Sequence, residues 1–227
     1  MRTIFLGTLL LALSAHASSP SKGNYIHVEE MTSQELRAAV ASGKTTILIP
    51  IGGTEQNGAN IALGKHNTRA RVLAGAIAER LGNALVAPVV SYVPEGAVDP
   101  PTGHMRQPGT ITIPEEAFER ALESAAKSFI QHGFLAVVLL GDHGGYRRSL
   151  DKVRNRVNVR ASRPVLFVPS EYYREMEHAG ADDTALTLAI DPTLVRDARG
   201  ASVERGRGLR DDIVERTVAA IRTATGR

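Results

Sequence analysis

Histidine and carboxylate side chains gather in four segments of this 227-residue sequence. The segments contain Glu55, Asn57 and His66; Glu95, Asp99 and His104; Asp142 and His143; and Glu177, His178, Asp182 and Asp183. Neutral imidazoles and carboxylates are the side chains that hold a catalytic divalent ion, and such an ion acidifies a water molecule. If the fold brings the segments together, these residues predict a hydrolytic metal site.

His143 is the strongest single candidate. It follows the apolar run 136–140, and a glycine-rich turn directly after a buried strand has little structural need for a histidine. The glycines Gly144-Gly145 fit either a plain tight turn or a close approach of the backbone to a ligand. By contrast, His132 is typical of a surface position, and Tyr172-Tyr173 is more typical of packing than of chemistry.

Strand-like and helix-like segments alternate along the chain, and this order predicts how the polar segments are positioned. Apolar, β-branched runs predict strands at 45–51, 84–90, 136–140 and 164–168. Periodicity and capping residues predict helices at 36–42, 69–81, 113–131, 147–160, 182–190 and 209–223. This pattern is typical of an α/β fold with a mostly parallel sheet covered on both faces. Ligands bind beyond the carboxyl ends of the strands in such sheets, so the polar loops should share one rim.

Composition excludes several classes of function. Hydrophobic residues make up 43% and charged residues 22% of the chain, as in an ordinary globular protein. The formal charge is only +3, no dense basic patch is present and aromatic residues are 4%, so nucleic-acid binding is not indicated. Cysteine is absent, which excludes disulfides, thiolate nucleophiles and cysteine-ligated zinc.

The first 17 residues have the three parts of a secretory signal peptide. Arg2 is followed by an apolar run too short to span a membrane, and Ala15-His16-Ala17 has the small-x-small pattern of a cleavage site. The predicted organisation is therefore a signal peptide at 1–17 and one α/β domain at 18–227. The predicted location is secreted or periplasmic, with no membrane attachment after cleavage.

Several segments in order resemble the creatininase (creatinine amidohydrolase) family. The segment 28–58 (VEEMTSQELRAAVASGKTTILIPIGGTEQNG) resembles the opening helix, first strand and E-Q-H-G loop of that family. The segments 104–113 (HMRQPGTITI), 132–145 (HGFLAVVLLGDHGG) and 178–195 (HAGADDTALTLAIDPTLV) resemble three later family motifs. The resemblance spans about 28–223. It implies a three-layer αβα fold, a homo-oligomer that is often a hexamer, and metal-dependent hydrolysis of cyclic amides and related C–N bonds.

The resemblance assigns roles to four residues. Glu55 matches a metal-binding carboxylate and His143 a metal-binding histidine of the family. His178 matches a histidine implicated in proton transfer, and Asp183 stands where the family has an active-site glutamate. His178 and Asp183 are therefore the predicted catalytic residues, with His178 donating a proton to the leaving nitrogen and Asp183 orienting a histidine or a water.

Three other positions depart from the family pattern around the second metal. Asn57 replaces a metal-binding histidine, His66 replaces the aspartate that bridges two metals, and Gly145 stands where creatininase has a metal-binding glutamate. An imidazole offers one lone pair at a time, so His66 cannot bridge as a carboxylate does. The prediction is one divalent ion held by Glu55, His66 and His143, most readily zinc, with manganese or iron as alternatives.

Two classes of function remain open from the sequence. The first is a secreted metal-dependent hydrolase of an amide or cyclic amide, or of a lactone or ester by the same tetrahedral chemistry. The second is a family member that binds a metal or small molecule without turnover. Both predict a small-molecule partner, and the first is the preferred interpretation.

Overall fold

The computed structural model describes residues 25–226. The predicted signal peptide at 1–17 lies outside these residues. The centre of the fold is a parallel four-stranded sheet with strand order β2-β1-β3-β4. Its strands are β1 (Thr46–Ile51), β2 (Ala84–Val86), β3 (Ala136–Gly141) and β4 (Leu166–Phe167).

In the described part of the chain, six α-helices surround the sheet. They are α1 (Ser33–Ala41), α2 (Lys65–Leu81), α3 (Glu115–Gln131), α4 (Arg147–Asn158), α5 (Ala181–Ile190) and α6 (Val203–Thr225). Thr32 begins α1 with the predicted capping box, in which its side chain accepts from Glu35 N and the Glu35 carboxylate accepts from Thr32 N. No helix within residues 25–226 is long and apolar enough to cross a membrane.

Alternate residues of the central strands pack against opposite helical layers. Ile47, Ile49 and Ile51 of β1 face a core that includes Phe118 of α3 and Leu150 of α4. The intervening residue of β1, Leu48, belongs to a second core with side chains from α2, α5 and α6, among them Leu73, Ile77, Leu186 and Ile213. Because both faces are covered, the strands are continuous apolar runs. The predicted αβα fold is confirmed.

Two helices begin earlier than their periodicity predicts. α2 begins at Lys65 and α6 at Val203, whereas the apolar pattern predicts 69 and 209. In α2 the added turn contains Lys65 and His66, which are polar and yet buried, so the apolar pattern cannot include them. In α6 the start is set by Ser202, whose side chain accepts from Arg205 N.

The strand order reverses direction between β1 and β3. The chain passes from β1 to β2 on one side of the sheet and then returns to place β3 on the other side of β1. In parallel α/β sheets, a crevice opens at such a point beyond the carboxyl ends of the strands. The loops after β1 and β3, which contain Glu55 and His143, meet there.

Candidate metal-binding site

The loop after β1 is held against the first turn of α2 by Asn67. Its side-chain oxygen accepts a hydrogen bond from Gly53 N at 2.9 Å, and its amide nitrogen donates to Thr54 Oγ1 at 3.1 Å. A Cβ at Gly52 would lie 2.3 Å from Asn67 Oδ1, so only glycine permits this approach. The packing fixes the backbone that carries Glu55.

Tyr146 ties the loop after β3 to the end of β1. Its hydroxyl accepts from His143 N at 3.0 Å and lies 2.9 Å from the carbonyl oxygens of Ile51 and Gly52, to which its single hydrogen can be donated. The ring is buried against Phe118. His143 and Glu55 are therefore positioned relative to each other by one buried side chain.

Glu55, His104 and His143 form the candidate ligand group in the part of the chain that the structure describes. Each has one potential ligand atom within 4.8 Å of the others. Glu55 Oε2 lies 3.4 Å from His104 Nε2 and 3.7 Å from His143 Nε2. This oxygen is buried and has no hydrogen-bond partner among residues 25–226. A carboxylate oxygen without a donor, beside two imidazole nitrogens, is a donor set that fits a divalent ion such as zinc.

The charges of this group suit metal binding. Burial tends to raise the pKa of Glu55, but the hydrogen bond and electrostatic attraction of His66, followed by the effects of His143 and Lys65, lower it to about 2. Burial lowers the pKa of His143 to about 4, against the opposing effect of Glu55. At neutral pH the glutamate is thus ionised and the imidazole is neutral, which is the state in which each binds a metal.

His66 lies between two carboxylates beside this group. Its Nε2 is 2.8 Å from Glu55 Oε1 and its Nδ1 is 2.6 Å from Asp142 Oδ2. His66 is 3% exposed and is not in the three-residue ligand group. In this arrangement both of its nitrogens are occupied by hydrogen bonds, and its predicted role as a ligand remains a prediction.

Behind His66, two buried cations pair with two buried carboxylates. Lys65 contacts Asp183, while Arg69 contacts Asp183 Oδ1 at 2.5 Å and Asp142 Oδ2 at 2.7 to 2.8 Å. Burial opposes ionisation of Asp183, but Arg69 and Lys65 lower its pKa below the usual range. The four charges compensate one another, which is the condition for burying them.

Asp183 also holds the segment that carries His178. Its Oδ2 accepts a hydrogen bond from Ala179 N at 2.8 Å, next to His178 in the chain. Within residues 25–226, Asp183 forms polar contacts with Lys65, Arg69 and the backbone of Ala179, and not with a histidine. Asp183 thus fixes the backbone beside His178, and it also lines the cavity over the ligand group. Its predicted role in orienting a histidine or a water remains a prediction.

His178 lies beside Glu55 and His104 of the ligand group. Its Nε2 donates to the carbonyl oxygen of Gln56 at 2.9 Å, and its Nδ1 lies 3.5 Å from Glu55 Oε1. Its ring centroid is 4.6 Å from that of His104. Burial is the main cause of the lowered pKa of His178, followed by the charge of Lys65. The ring is therefore neutral at pH 7, with the lone pair on Nδ1.

The departures at 57 and 145 have structural reasons. Asn57 is fully buried and its amide nitrogen donates to the carbonyl oxygens of Glu55 and Ala62, at 2.9 and 3.0 Å. A Cβ at Gly145 would lie 2.9 Å from two atoms of the His143 ring. Asn57 supports the loop backbone, and the absence of a side chain at Gly145 makes room for His143.

Glu95 lies behind Glu55 and is only 5% exposed. Its Oε1 has no hydrogen-bond partner among the described residues. Burial, and then the neighbouring carboxylate of Glu55, raise the pKa of Glu95 to about 8. Glu95 is therefore mostly a neutral acid at pH 7.

A cavity of about 120 Å³ opens over the ligand group. Its walls include His104, His143, His178, Tyr173, Arg174 and Met176. The ligand nitrogens of two histidines and the free nitrogen of His178 thus share one opening to solvent.

All five site residues predicted from the sequence lie in this region. Glu55, His66 and His143 are mutual neighbours, and His178 lies beside Glu55. Asp183 pairs with Lys65 and Arg69 and lines the same cavity. The sequence prediction places His104 on the same rim but does not include it among the ligands. The sequence does indicate a role for His104, since it is the first residue of the HMRQPGT segment that resembles a family motif.

The fold and the site together define an α/β protein with a carboxylate–histidine centre at a strand-order reversal. Residues 29–222 match the family described as Creatininase: Creatinine amidohydrolase. The chain belongs to this family.

Relatives of known name differ in what they act on. The chain is 29% identical, over 71% of its length and 62% of the relative's, to the mycofactocin precursor peptide peptidase of Mycolicibacterium smegmatis. It is 24% identical, over 75% of its length and 74% of the relative's, to the creatinine amidohydrolase of Pseudomonas putida. It is 28% identical, over 52% of its length and 36% of the relative's, to the 3-dehydro-scyllo-inosose hydrolase of Thermotoga maritima. The match thus spans less than two thirds of the first and third of these proteins.

Solved creatininase structures share the fold. A creatinine amidohydrolase (creatininase) structure superposes with a TM-score of 0.75 at 21% identity, covering 90% of this chain and 99% of that one. A structure described as creatininase Mn gives 0.75 at 21%, covering 89% and 100%. A mutant creatininase described as Zn-Zn type gives 0.75 at 22%, covering 89% and 99%.

Proposed function

We propose that this protein is a metal-dependent hydrolase of an amide bond, with one divalent ion per chain held by Glu55, His104 and His143. The observation that carries the proposal is the buried, unpartnered Oε2 of Glu55, which faces Nε2 of both histidines at 3.4 and 3.7 Å. Zinc is the proposed ion, since one carboxylate and two imidazoles are a known catalytic zinc set with an open position. Manganese is the alternative.

When bound, the ion polarises the amide carbonyl group and activates a water molecule. Binding through Nε2 leaves the ring proton on Nδ1. Gln56 Nε2 lies 2.9 Å from His104 Nδ1, and Gly145 N donates to His143 Nδ1 at 3.1 Å. In the metal-bound state both Nδ1 atoms carry a hydrogen and need an acceptor or free space. The side-chain amide of Gln56 must therefore turn its oxygen toward His104 Nδ1, and the distance from Gly145 N to His143 Nδ1 must increase.

His178 is the proton carrier of the proposed reaction. Because its Nε2 donates to Gln56 O, its Nδ1 is free to accept a proton from the attacking water. Protonated His178 then gives that proton to the leaving nitrogen as the C–N bond breaks. Asp183 supports this role by holding Ala179, and His66 supports it by orienting Glu55.

The proposed substrate is a small amide, linear or cyclic. Two of the relatives are named as a peptidase and an amidohydrolase, and amide hydrolysis is the chemistry common to those names. A lactone or ester hydrolase is an alternative with the same residues in the same roles. A metal-binding protein without turnover is the other alternative.

The test is a panel of peptides, cyclic amides, formamides and lactones, offered to the zinc-loaded full chain. We expect turnover of at least one amide, its loss on chelation, and its loss in His143→Ala and His104→Ala. His132→Ala is the matched control, because His132 is exposed at the end of α3, and it should keep wild-type turnover and zinc content. Stable zinc binding with no turnover of any amide or lactone would favour the non-catalytic alternative.

A further inference from the structure

Two adjacent tyrosines after β4 occupy different environments. Tyr172 is 2% exposed and packs in the core between the sheet and α2, α5 and α6. Tyr173 is half-buried and lines the cavity over the ligand group, together with His143 and His178. The sequence predicts a packing role for both tyrosines. That role fits Tyr172, which is in the core, but it does not account for Tyr173, whose side chain lines the cavity.

The ring of Tyr173 lies directly against the backbone of Gly144. A Cβ at Gly144 would be 2.8 Å from the Tyr173 hydroxyl oxygen and 3.0 Å from Cζ. Any side chain at this position would displace the ring. Since Gly144 follows His143, the contact holds the Tyr173 hydroxyl beside the backbone of a candidate metal ligand.

The Tyr173 hydroxyl makes no hydrogen bond with any residue in the described range 25–226. The pKa of Tyr173 is raised, by burial first and then by the carboxylates of Glu175 and Asp142. The hydroxyl therefore keeps its hydrogen at neutral pH. It is a donor on a residue that lines the cavity, and it has no acceptor among residues 25–226.

We propose that Tyr173 is a catalytic residue whose hydroxyl donates a hydrogen bond to the carbonyl oxygen of the bound substrate. This inference rests on the proposed function. As water adds to the carbonyl carbon, negative charge builds on this oxygen, and a preorganised donor stabilises the transition state more than the ground state. The same hydrogen bond would serve an amide or an ester, so Tyr173 defines the substrate class as a carbonyl compound.

The test compares Tyr173→Phe with Tyr172→Phe in the zinc-loaded full chain. Removal of one such donor lowers kcat by about 10²-fold or more, and we expect this for Tyr173→Phe with little change in KM or zinc content. Tyr172→Phe is the matched control. The Tyr172 hydroxyl is buried without a partner in the described chain, so its removal should be neutral or slightly stabilising. Gly144→Ala should reproduce part of the loss by displacing the ring.

A second measurement does not depend on turnover. Acetohydroxamate presents a carbonyl oxygen to a zinc site, and its affinity for the zinc-loaded protein is measured by calorimetry. We expect about tenfold weaker binding in Tyr173→Phe, equivalent to about 1.4 kcal/mol, and unchanged binding in Tyr172→Phe.

The outcomes separate this inference from the proposed function. Wild-type protein without turnover, but with hydroxamate binding that weakens in Tyr173→Phe, would refute the hydrolase proposal and keep the hydroxyl as a ligand donor. Unchanged kcat and unchanged hydroxamate affinity in Tyr173→Phe would overturn the inference. Loss of zinc from Tyr173→Phe would also overturn it, because the residue would then support the metal site rather than the substrate.

Discussion

Asp142 Oδ2 lies 2.6 Å from His66 Nδ1, and this contact joins the loop after β3 to the first turn of α2. The other nitrogen of His66 contacts Glu55 Oε1, so three segments of the chain meet at one imidazole. His66 stands where the resembling family has a bridging aspartate. In the observed arrangement it connects two carboxylates.

The two possible ligand sets predict different mutant behaviour. If Glu55, His104 and His143 hold the metal, His104→Ala should weaken zinc binding by more than about 100-fold. His66→Asn removes a partner of a ligand and should weaken it by about 10- to 100-fold. Competition with a chelator of known affinity measures both, with His132→Ala as the exposed control. The reverse ranking, in which His66→Asn loses zinc and His104→Ala keeps it, would show that the ligands are Glu55, His66 and His143.

The buried ion pairs behind the site should matter more for stability than exposed pairs. Asp183→Ala leaves Lys65 and Arg69 without a buried partner, and breaking such a pair costs about 3–5 kcal/mol. Glu215→Ala breaks an exposed pair with Arg80 and should cost less than about 1 kcal/mol. Urea denaturation of the metal-free proteins gives both free energies of unfolding. Equal losses would contradict the importance of the buried network. If Asp183→Ala does not fold, Asp183→Asn, which keeps the shape, should show a smaller loss of the same sign.

Glu95 should make the metal-free protein less stable as pH rises. Its folded-state pKa of about 8 is above that of an unfolded glutamate. The folded state therefore binds more protons in the window between the two values. Glu95 therefore contributes its full stabilisation of the folded state below the unfolded-state pKa. This contribution to the free energy of unfolding is lost as pH rises toward 8, by at most about 1.4 kcal/mol per pH unit.

Glu95→Gln removes this titration while keeping the shape of the side chain. The difference in free energy of unfolding between the variant and the wild type should grow in favour of the variant from pH 5 to about 8. Urea denaturation at several pH values measures it. A difference that stays constant over this range would show that Glu95 titrates normally.

Export is predicted from the pattern in residues 1–17. The positive start, the short apolar run and Ala15-His16-Ala17 place the cleavage after Ala17. Mass spectrometry of the protein recovered from the periplasm or medium should show Ser18 as the first residue. Recovery of the protein only inside the cell, with Met1 or its processed form intact, would argue against a signal peptide.

Assembly is the last prediction, and it rests on the family resemblance. We expect a homo-oligomer, with a hexamer as the specific expectation. Sedimentation velocity at micromolar concentration is the measurement. A monomer that persists as the concentration rises tenfold would be inconsistent with it.

The sheet and half of the site were predictable from the sequence for one reason. The apolar runs at β1 and β3 are long and β-branched, so they predict buried strands. Polar residues that follow a buried parallel strand lie at the carboxyl edge of the sheet, which is the rim. Glu55 and His143 follow these two strands, and the strand order brings them together. β4 was predicted at 164–168 but comprises only Leu166–Phe167, which pair with Val137 and Val138 of β3.

What the sequence determined by itself was the order of strands and helices, the rim and the residue types on it. Only the tertiary structure decided which histidines face Glu55 Oε2, and it placed His104 there and His66 against Glu55 Oε1. It also buried Lys65 and Arg69, whose charges in the sequence look like those of any exposed helix face. The physical reason is that a buried charge is stabilised by partners distant in the chain, as Arg69 is by Asp142 and Asp183, so its burial cannot be read from its neighbours in sequence.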